Sequence, residues 1–296
     1  MKNHYLEFLR RAELPADADA YLKSCIDKII PEFEDELKGI IDTLYSTDFS
    51  IKATAEGRKQ LSDISQVNFY TVNFIFLVCA SKQMRLDFAK RSIADEVFWD
   101  TILDLKYKLF ECRQVKGVWG NFVEFWYDIF YRCDIYKLGR LEYERCIYPA
   151  QLPALEVDGI EIKEGTELIS VHIPSSGALL PSEVEESFAM AERFFADHYP
   201  SIKPLVFFCE SWLLYEPYRE VFAEGGNMQK FMDAWSIKAN IETDDFGDFW
   251  RVYGKEYDGD IDSLPEDTTL RRNMKKFMQS GKKNGFGIGF RPAKYK

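Results

Sequence analysis

Histidine is scarce in this chain, and what there is does not cluster. His4, His172 and His198 form no HxH or HxxxH pair, so no zinc site and no other metal is expected. Cysteine is also sparse. Cys25, Cys79, Cys112, Cys133, Cys146 and Cys209 never fall in CxxC spacing, and most lie inside apolar patterns, which reads as free buried thiols in a reducing compartment. Basic residues are outnumbered, 38 against 49 acidic ones, for a formal net charge of -11. A field of that sign repels polyanions, so nucleic acid is not an expected partner. No stretch reaches the roughly 18 uncharged apolar residues of a bilayer span, and the first residues, MKNHYLEFLRRAEL, have no apolar signal-type core. No repeat or low-complexity tract is visible. The expectation is a cytoplasmic protein with no membrane partner.

What the chain has is length and apolar bulk. It has 296 residues, 46% hydrophobic and 16% aromatic, enough for a large core and, by length, two domains. Residues 168–200, LISVHIPSSGALLPSEVEESFAMAERFFADHYP, organise the second half. The apolar run 168–173 stops at Pro174, passes through a loop of small residues and restarts at helical period. Pro181, Ser182 and Glu185 predict a helix start with a capping box. Phe188, Ala191, Phe194 and Phe195 give that helix one apolar face. A second apolar run, 205–214, then completes a β-α-β unit, whose mouth is where helix-start N–H groups attract anions.

Residues 1–135 read as helices. A stripe from Ile30 to Leu44 predicts a helix begun by Pro31. Val67 to Val78 predicts a helix buried on most sides, Ser92 a cap for a third, and residues 121–131 a fourth with Phe122, Phe125 and Trp126 in the core. Residues 140–148 alternate at period two. Asp158-Gly159 predicts a hairpin turn within residues 155–162. Residues 227–235 read as a helix, 237–241 and 249–253 as strands, 269–279 as a basic helix, and 285–290 as a closing strand with Gly285, Gly287 and Gly289 on one bare face. Asp258, Asp260 and Asp262 alternate, but the twelfth position of a calcium loop falls on Thr269, so calcium is not expected.

The strings IYKLGRLEYERCIY, ISVHIPSSGALLPSEVEESFAMAERFF, FFCESWLL and GGNMQKF, in this order behind a helical half, resemble a bacterial group of acyltransferase-domain proteins. That group joins an N-acyltransferase N-terminal domain to a C-terminal domain like that of the GNAT superfamily. The resemblance covers essentially the whole chain. It implies an α+β architecture, helical over 1–135 and a mixed sheet flanked by helices over 136–296. It also implies an acyl-CoA co-substrate, its pantetheine between strands 168–173 and 205–214 and its pyrophosphate on the loop after the first. Ile173, Ser175, Ser176, Gly177, Ala178, Leu179, Leu180, Ser182, Cys209 and Ser211 would then line the cofactor. The superfamily's loop pattern, Gln or Arg, two residues, Gly, any, Gly or Ala, is not present in SSGALL.

Acyl transfer to an amine needs a proton acceptor for the amine and a donor for the carbonyl oxyanion. His172, at the end of the central strand, and Glu210, near the end of the next, are the candidate catalytic groups. Against these stand a hydrogen-bonded strand histidine and a Glu210 paired with a cation. The basic run Arg271, Arg272, Lys275, Lys276, Lys282 and Lys283 is read either as a phosphate screen or as a solvated helix face. The expected activity is acyl-CoA-dependent N-acylation of a small-molecule or peptide amine; the alternative is a GNAT-shaped binding module without catalysis.

Overall fold

The structure, a computed structural model, describes residues 1–294. Its chain divides into two compact units, Met1–Tyr136 and Lys137–Lys296.

The first unit is helical: α1 (Lys2–Ala12), α2 (Ala16–Ser46), α3 (Ala55–Ser65), α4 (Phe69–Lys90), α5 (Asp95–Ile102), α6 (Asp104–Lys116) and α7 (Asp128–Tyr131). The apolar segment 67–78 becomes the buried centre of α4, where every residue from Thr71 to Ser81 is enclosed. Asn68 caps it, accepting the Tyr70 N–H at 2.9 Å. Pro31 does not begin a helix. It lies inside α2, whose backbone leaves helical geometry at Phe33 (φ -130°, ψ 27°), because proline removes an N–H and crowds the preceding turn without ending a helix whose apolar stripe continues. Nor does Ser92 cap α5; the cap position is Ala94 and Ser92 sits at φ 57° in the preceding turn. Residues 121–131 form no single helix. A 3-10 turn, Glu124–Tyr127, precedes the one-turn α7, and Phe125 is 72% exposed rather than in the core. No single helix among the described residues is long and apolar enough to cross a membrane.

The second unit is a six-stranded sheet with helices. Its strands are β1 (Ile135–Leu138), on which the chain passes from one unit to the next, β2 (Leu141–Ile147), β5 (Glu167–His172), β6 (Val206–Ser211), β7 (Ser236–Thr243) and β8 (Asn284–Pro292), in the order β1-β2-β5-β6-β8-β7. β3 (Leu155–Val157) and β4 (Ile160–Ile162) form a separate hairpin. Its turn residues Asp158 and Gly159 both take positive φ, 49° and 80°, as a two-residue hairpin loop demands. The helices are α8 (Pro181–His198), α9 (Asn227–Asp233), α10 (Phe249–Tyr253) and α11 (Thr269–Gln279). Residues 249–253 are thus helical, not a strand: five residues of mixed apolar and polar type carry no period long enough to separate the two.

Two apolar layers sandwich the sheet. On one face Phe188 of α8 meets Phe207 (ring centroids 5.0 Å apart) and Tyr143 (6.0 Å). On the other, hairpin residues Val157 and Ile162 pack with Tyr148, Leu168, Val206 and Phe290. The bare face of β8 receives backbone. A Cβ at Gly287 would stand 2.0 Å from the Leu214 carbonyl oxygen, so the glycines let the 3-10 turn Trp212–Leu214 lie against the strand.

Candidate functional site

β5 and β6, at the centre of the sheet, run parallel, and they barely pair. Their register covers Ile169↔Phe207 and Ser170↔Phe208 alone. Each nevertheless stays paired to its outer neighbour to the end: β5 to β2 as far as Glu142↔His172, β6 to β8 as far as Ser211↔Gly287. The two inner strands therefore part after Ser170 and Phe208. Residues 171–173 and 209–211 form the walls of a wedge, and every second peptide group along each wall points across it.

The chain leaving β5 enters the loop 173–180 and then α8. Among the described residues, no backbone N–H from Ser176 to Leu180, nor those of Ser182 and Glu183, donates to a protein acceptor, and the first helical bond is Val184 N–H to the Leu180 carbonyl at 3.0 Å. The predicted capping box is not formed. The cap residue is Leu180, with Pro181 next and no side-chain cap. Glu185 instead holds both Arg291 nitrogens at 2.8 Å and Lys294 at 2.6 Å. These bonds, chiefly those from Arg291, draw its carboxyl down to about 2. The helix start is thus left open to an external anion. Gly177 takes φ 119°, a backbone state reserved for glycine, and a Cβ there would meet nothing within 4 Å.

His172 ends β5, and its Nε2 lies 2.7 Å from Glu144 Oε2 of β2. A carboxylate can only accept, so Nε2 carries the proton and the basic lone pair is on Nδ1. Register puts Glu142, opposite His172 and only 2% exposed, on the same sheet face. Glu210 projects from β6 to that face also, since Phe208 pairs with Ser170 there. It does not sit in an apolar pocket with a cationic partner: it is exposed, and no hydrogen bond or ion pair among the described residues reaches its side chain. The run FFCESWLL gave a false impression of burial because β6 is enclosed at its start and emerges at Glu210.

Cys209 faces the opposite way and is fully buried, with its thiol pushed far above the usual range by burial and then by the Glu210 charge. It is a neutral packing residue and no nucleophile. The cysteines among the described residues are free, and burial holds those of Cys79, Cys112, Cys133 and Cys146 at about 12. Ser211 caps the following 3-10 turn, accepting the Leu213 N–H at 3.2 Å. Ser182 is exposed on the first turn of α8, Leu179 is buried beneath the loop, and Ile173 is half-buried at the mouth of the wedge.

Two contributors escape sequence reasoning. Glu144 reads as one of several polar positions on an alternating strand; only the register of β2 against β5 sets it beside His172. Arg140, in the turn between β1 and β2, donates Nε to the Ala178 carbonyl (3.0 Å), Nη1 to Pro174 (3.0 Å) and Nη2 to Gly177 (2.6 Å). A lone Arg after Gly139 was the available signal.

Four members of the basic run of α11 and beyond are locally paired. Arg271 meets Asp267 at 2.9 Å, Lys275 meets Glu266 at 2.9 Å, Lys282 meets Glu220 at 2.6 Å, and Lys283 bonds Asp244. The alternating aspartates accept backbone N–H bonds in their own turn, Asp258 from Asp260 (3.1 Å) and Asp260 from Asp262 (3.0 Å). Among the described residues no group of three or more His, Cys, Asp or Glu side chains is placed to hold a metal ion.

A mixed sheet whose two central parallel strands splay above an open helix start is the GNAT type of fold. Family models agree with it: residues 4–133 match the N-acyltransferase N-terminal domain and residues 135–291 the GNAT-like C-terminal domain. The chain belongs to this family of two-domain, GNAT-type N-acyltransferases. Among proteins of curated function, none matches its sequence. Of solved structures, an acyltransferase mutant in complex with octanoyl-CoA is 21% identical, with a TM-score of 0.73 over 98% of this chain and 88% of its own. An acyltransferase in complex with decanoyl-CoA and teicoplanin is 22% identical, with a TM-score of 0.69 over 97% and 87%. Another, in complex with decanoyl-CoA, is 21% identical, with a TM-score of 0.71 over 97% and 87%. At this identity the likeness is one of fold.

Proposed function

We propose that the protein transfers an acyl group from acyl-CoA to an amine. The observation that carries this reading is the parting of β5 and β6 after Ser170↔Phe208 while both outer pairings continue. The wedge takes the pantetheine arm, whose amides pair with the peptide groups of its walls, and the loop 175–180 with the start of α8 takes the pyrophosphate. The similar folds crystallised with octanoyl- and decanoyl-CoA support a medium-chain donor, and the one crystallised with teicoplanin supports an acceptor that is a sizeable molecule presenting an amine.

The chemistry follows from His172 standing where the wedge opens. The neutral amine attacks the thioester carbonyl and forms the new C–N bond. Its surplus proton passes to Nδ1 of His172, while Glu144 holds the imidazole and balances the imidazolium charge. The C–S bond then breaks, and the departing thiolate takes that proton from the His172 imidazolium to leave as CoA thiol, which restores the neutral ring. In this reading backbone N–H groups of the wedge walls receive the carbonyl oxyanion.

The test is release of free CoA thiol from octanoyl-CoA with a panel of primary amines, alongside thermal shift. Octanoyl-CoA should raise the melting temperature, and His172→Asn should keep that shift while losing about 100-fold or more in kcat. Unchanged turnover in His172→Asn removes it from the mechanism. No shift with any acyl-CoA would make the protein a binding module for something else.

A further inference from the structure

The trident that Arg140 makes with the loop has a geometric consequence. In a trans peptide the N–H points away from the preceding carbonyl. The carbonyls of Pro174, Gly177 and Ala178 all turn toward one guanidinium. The N–H groups of Ser175, Ala178 and Leu179 must therefore turn to the opposite side of the loop, away from Arg140. Those of Ala178 and Leu179 have no protein acceptor among the described residues. Behind them lies a permanent positive charge, since an arginine in a protein stays protonated, and it is 8% exposed, where solvent screens it weakly.

Arg140 is itself fixed by the helix the loop leads into. Ser187 of α8 accepts the Leu141 N–H at 3.0 Å and donates to the Leu138 carbonyl at 2.5 Å, gripping both flanks of the turn that carries Arg140. The Tyr143 hydroxyl joins Ser187 at 2.9 Å. Gly139 keeps the turn close, at φ 71°, because a Cβ there would stand 3.2 Å from Met190 Sδ and 3.4 Å from the Ser187 backbone. Helix, turn, arginine and loop thus form a closed circuit of bonds, none of them using an N–H on the loop's outer side.

We infer that Arg140 is the positioning residue for the pyrophosphate of the acyl donor: it turns the loop's carbonyls inward so that the N–H groups face the diphosphate, and it supplies buried positive charge behind them. This rests on reading the loop 175–180 as the pyrophosphate cradle. It also accounts for how a loop without the superfamily's glycine-rich pattern can serve an anion, since the orientation comes from a side chain of another strand's turn.

The experiment compares octanoyl-CoA with S-octanoyl-pantetheine, which has the same acyl arm and no phosphate, by calorimetric titration of the full chain. Wild-type protein should bind the CoA ester far more tightly than the pantetheine ester. Arg140→Gln should reduce that ratio by about tenfold or more and leave the pantetheine ester's affinity within about twofold of wild type. Arg140→Lys, which keeps a cation but cannot reach three carbonyls at once, should reduce the ratio in the same direction and serves if the Gln variant does not fold. A ratio unchanged in both variants, with wild type still preferring the CoA ester, overturns the role of Arg140 and leaves the cradle standing. No preference in wild type overturns the cradle and the inference with it. Equal loss of both esters reduces Arg140 to a structural residue.

Discussion

In the proposed mechanism the chemistry depends on which nitrogen of the His172 imidazole is basic, and that is decided by a carboxylate on the neighbouring strand. Glu144 accepts from Nε2 at 2.7 Å, so in the proposed mechanism it acts through His172. Glu144→Gln leaves a neutral group that can turn its amide nitrogen toward the ring and favour the wrong tautomer. We expect kcat to fall about 10- to 100-fold with the affinity for octanoyl-CoA unchanged. In the His172→Asn background the same change should cost nothing further, because groups acting as one unit are not additive. Full activity in Glu144→Gln, or an additive loss in the double variant, would separate the two residues. The position of His172 at the end of β5 was legible in the sequence from an apolar run that stops before Pro174. Glu144 and Arg140 were not, because they lie 28 and 34 positions from His172 and Pro174, their bonding partners, and only strand register brings them close.

At the scale of elements, the hairpin, the central strand and α11 were read from local chemistry: Asp158-Gly159 for the turn, an apolar run for β5, and a basic stretch for α11, which the structure shows capped by Thr268 accepting the Arg271 N–H at 3.2 Å. Local chemistry failed where a distant partner competed. Ser182 and Glu185 spell a capping box, yet Glu185 is claimed by Arg291, 106 residues on, whose guanidinium also lies 4.0 Å over Phe188. That clamp joins the closing strand β8 to the first turns of α8 and leaves the helix start uncapped. It has a pH signature. The folded-state carboxyl titrates near 2, below its unfolded value of about 4.3, so its stabilisation is whole above roughly pH 4.5 and is lost as pH falls toward 2. Wild type should therefore melt higher than Glu185→Gln at pH 6, and the gap should close between about pH 4.5 and 2.5. A gap independent of pH in that range would mean the ion pair contributes nothing. The exposure of Glu185, 44% of its side chain, keeps the effect small through solvent screening.

For the molecule as a whole, the acidic balance of -11 is at odds with a polyanionic co-substrate, and composition alone could not resolve it. Of the basic run around α11, Arg271, Lys275, Lys282 and Lys283 are each paired with an acidic neighbour. In the proposed cradle the donors are backbone N–H groups, which no tally of charged residues records. Those amides and the wedge beside them make up the proposed donor site. Hydrogen exchange of the full chain with and without octanoyl-CoA reads them directly. The account predicts slowed exchange over residues 176–183 and 209–211; protection confined to other segments, with these unchanged, would contradict it.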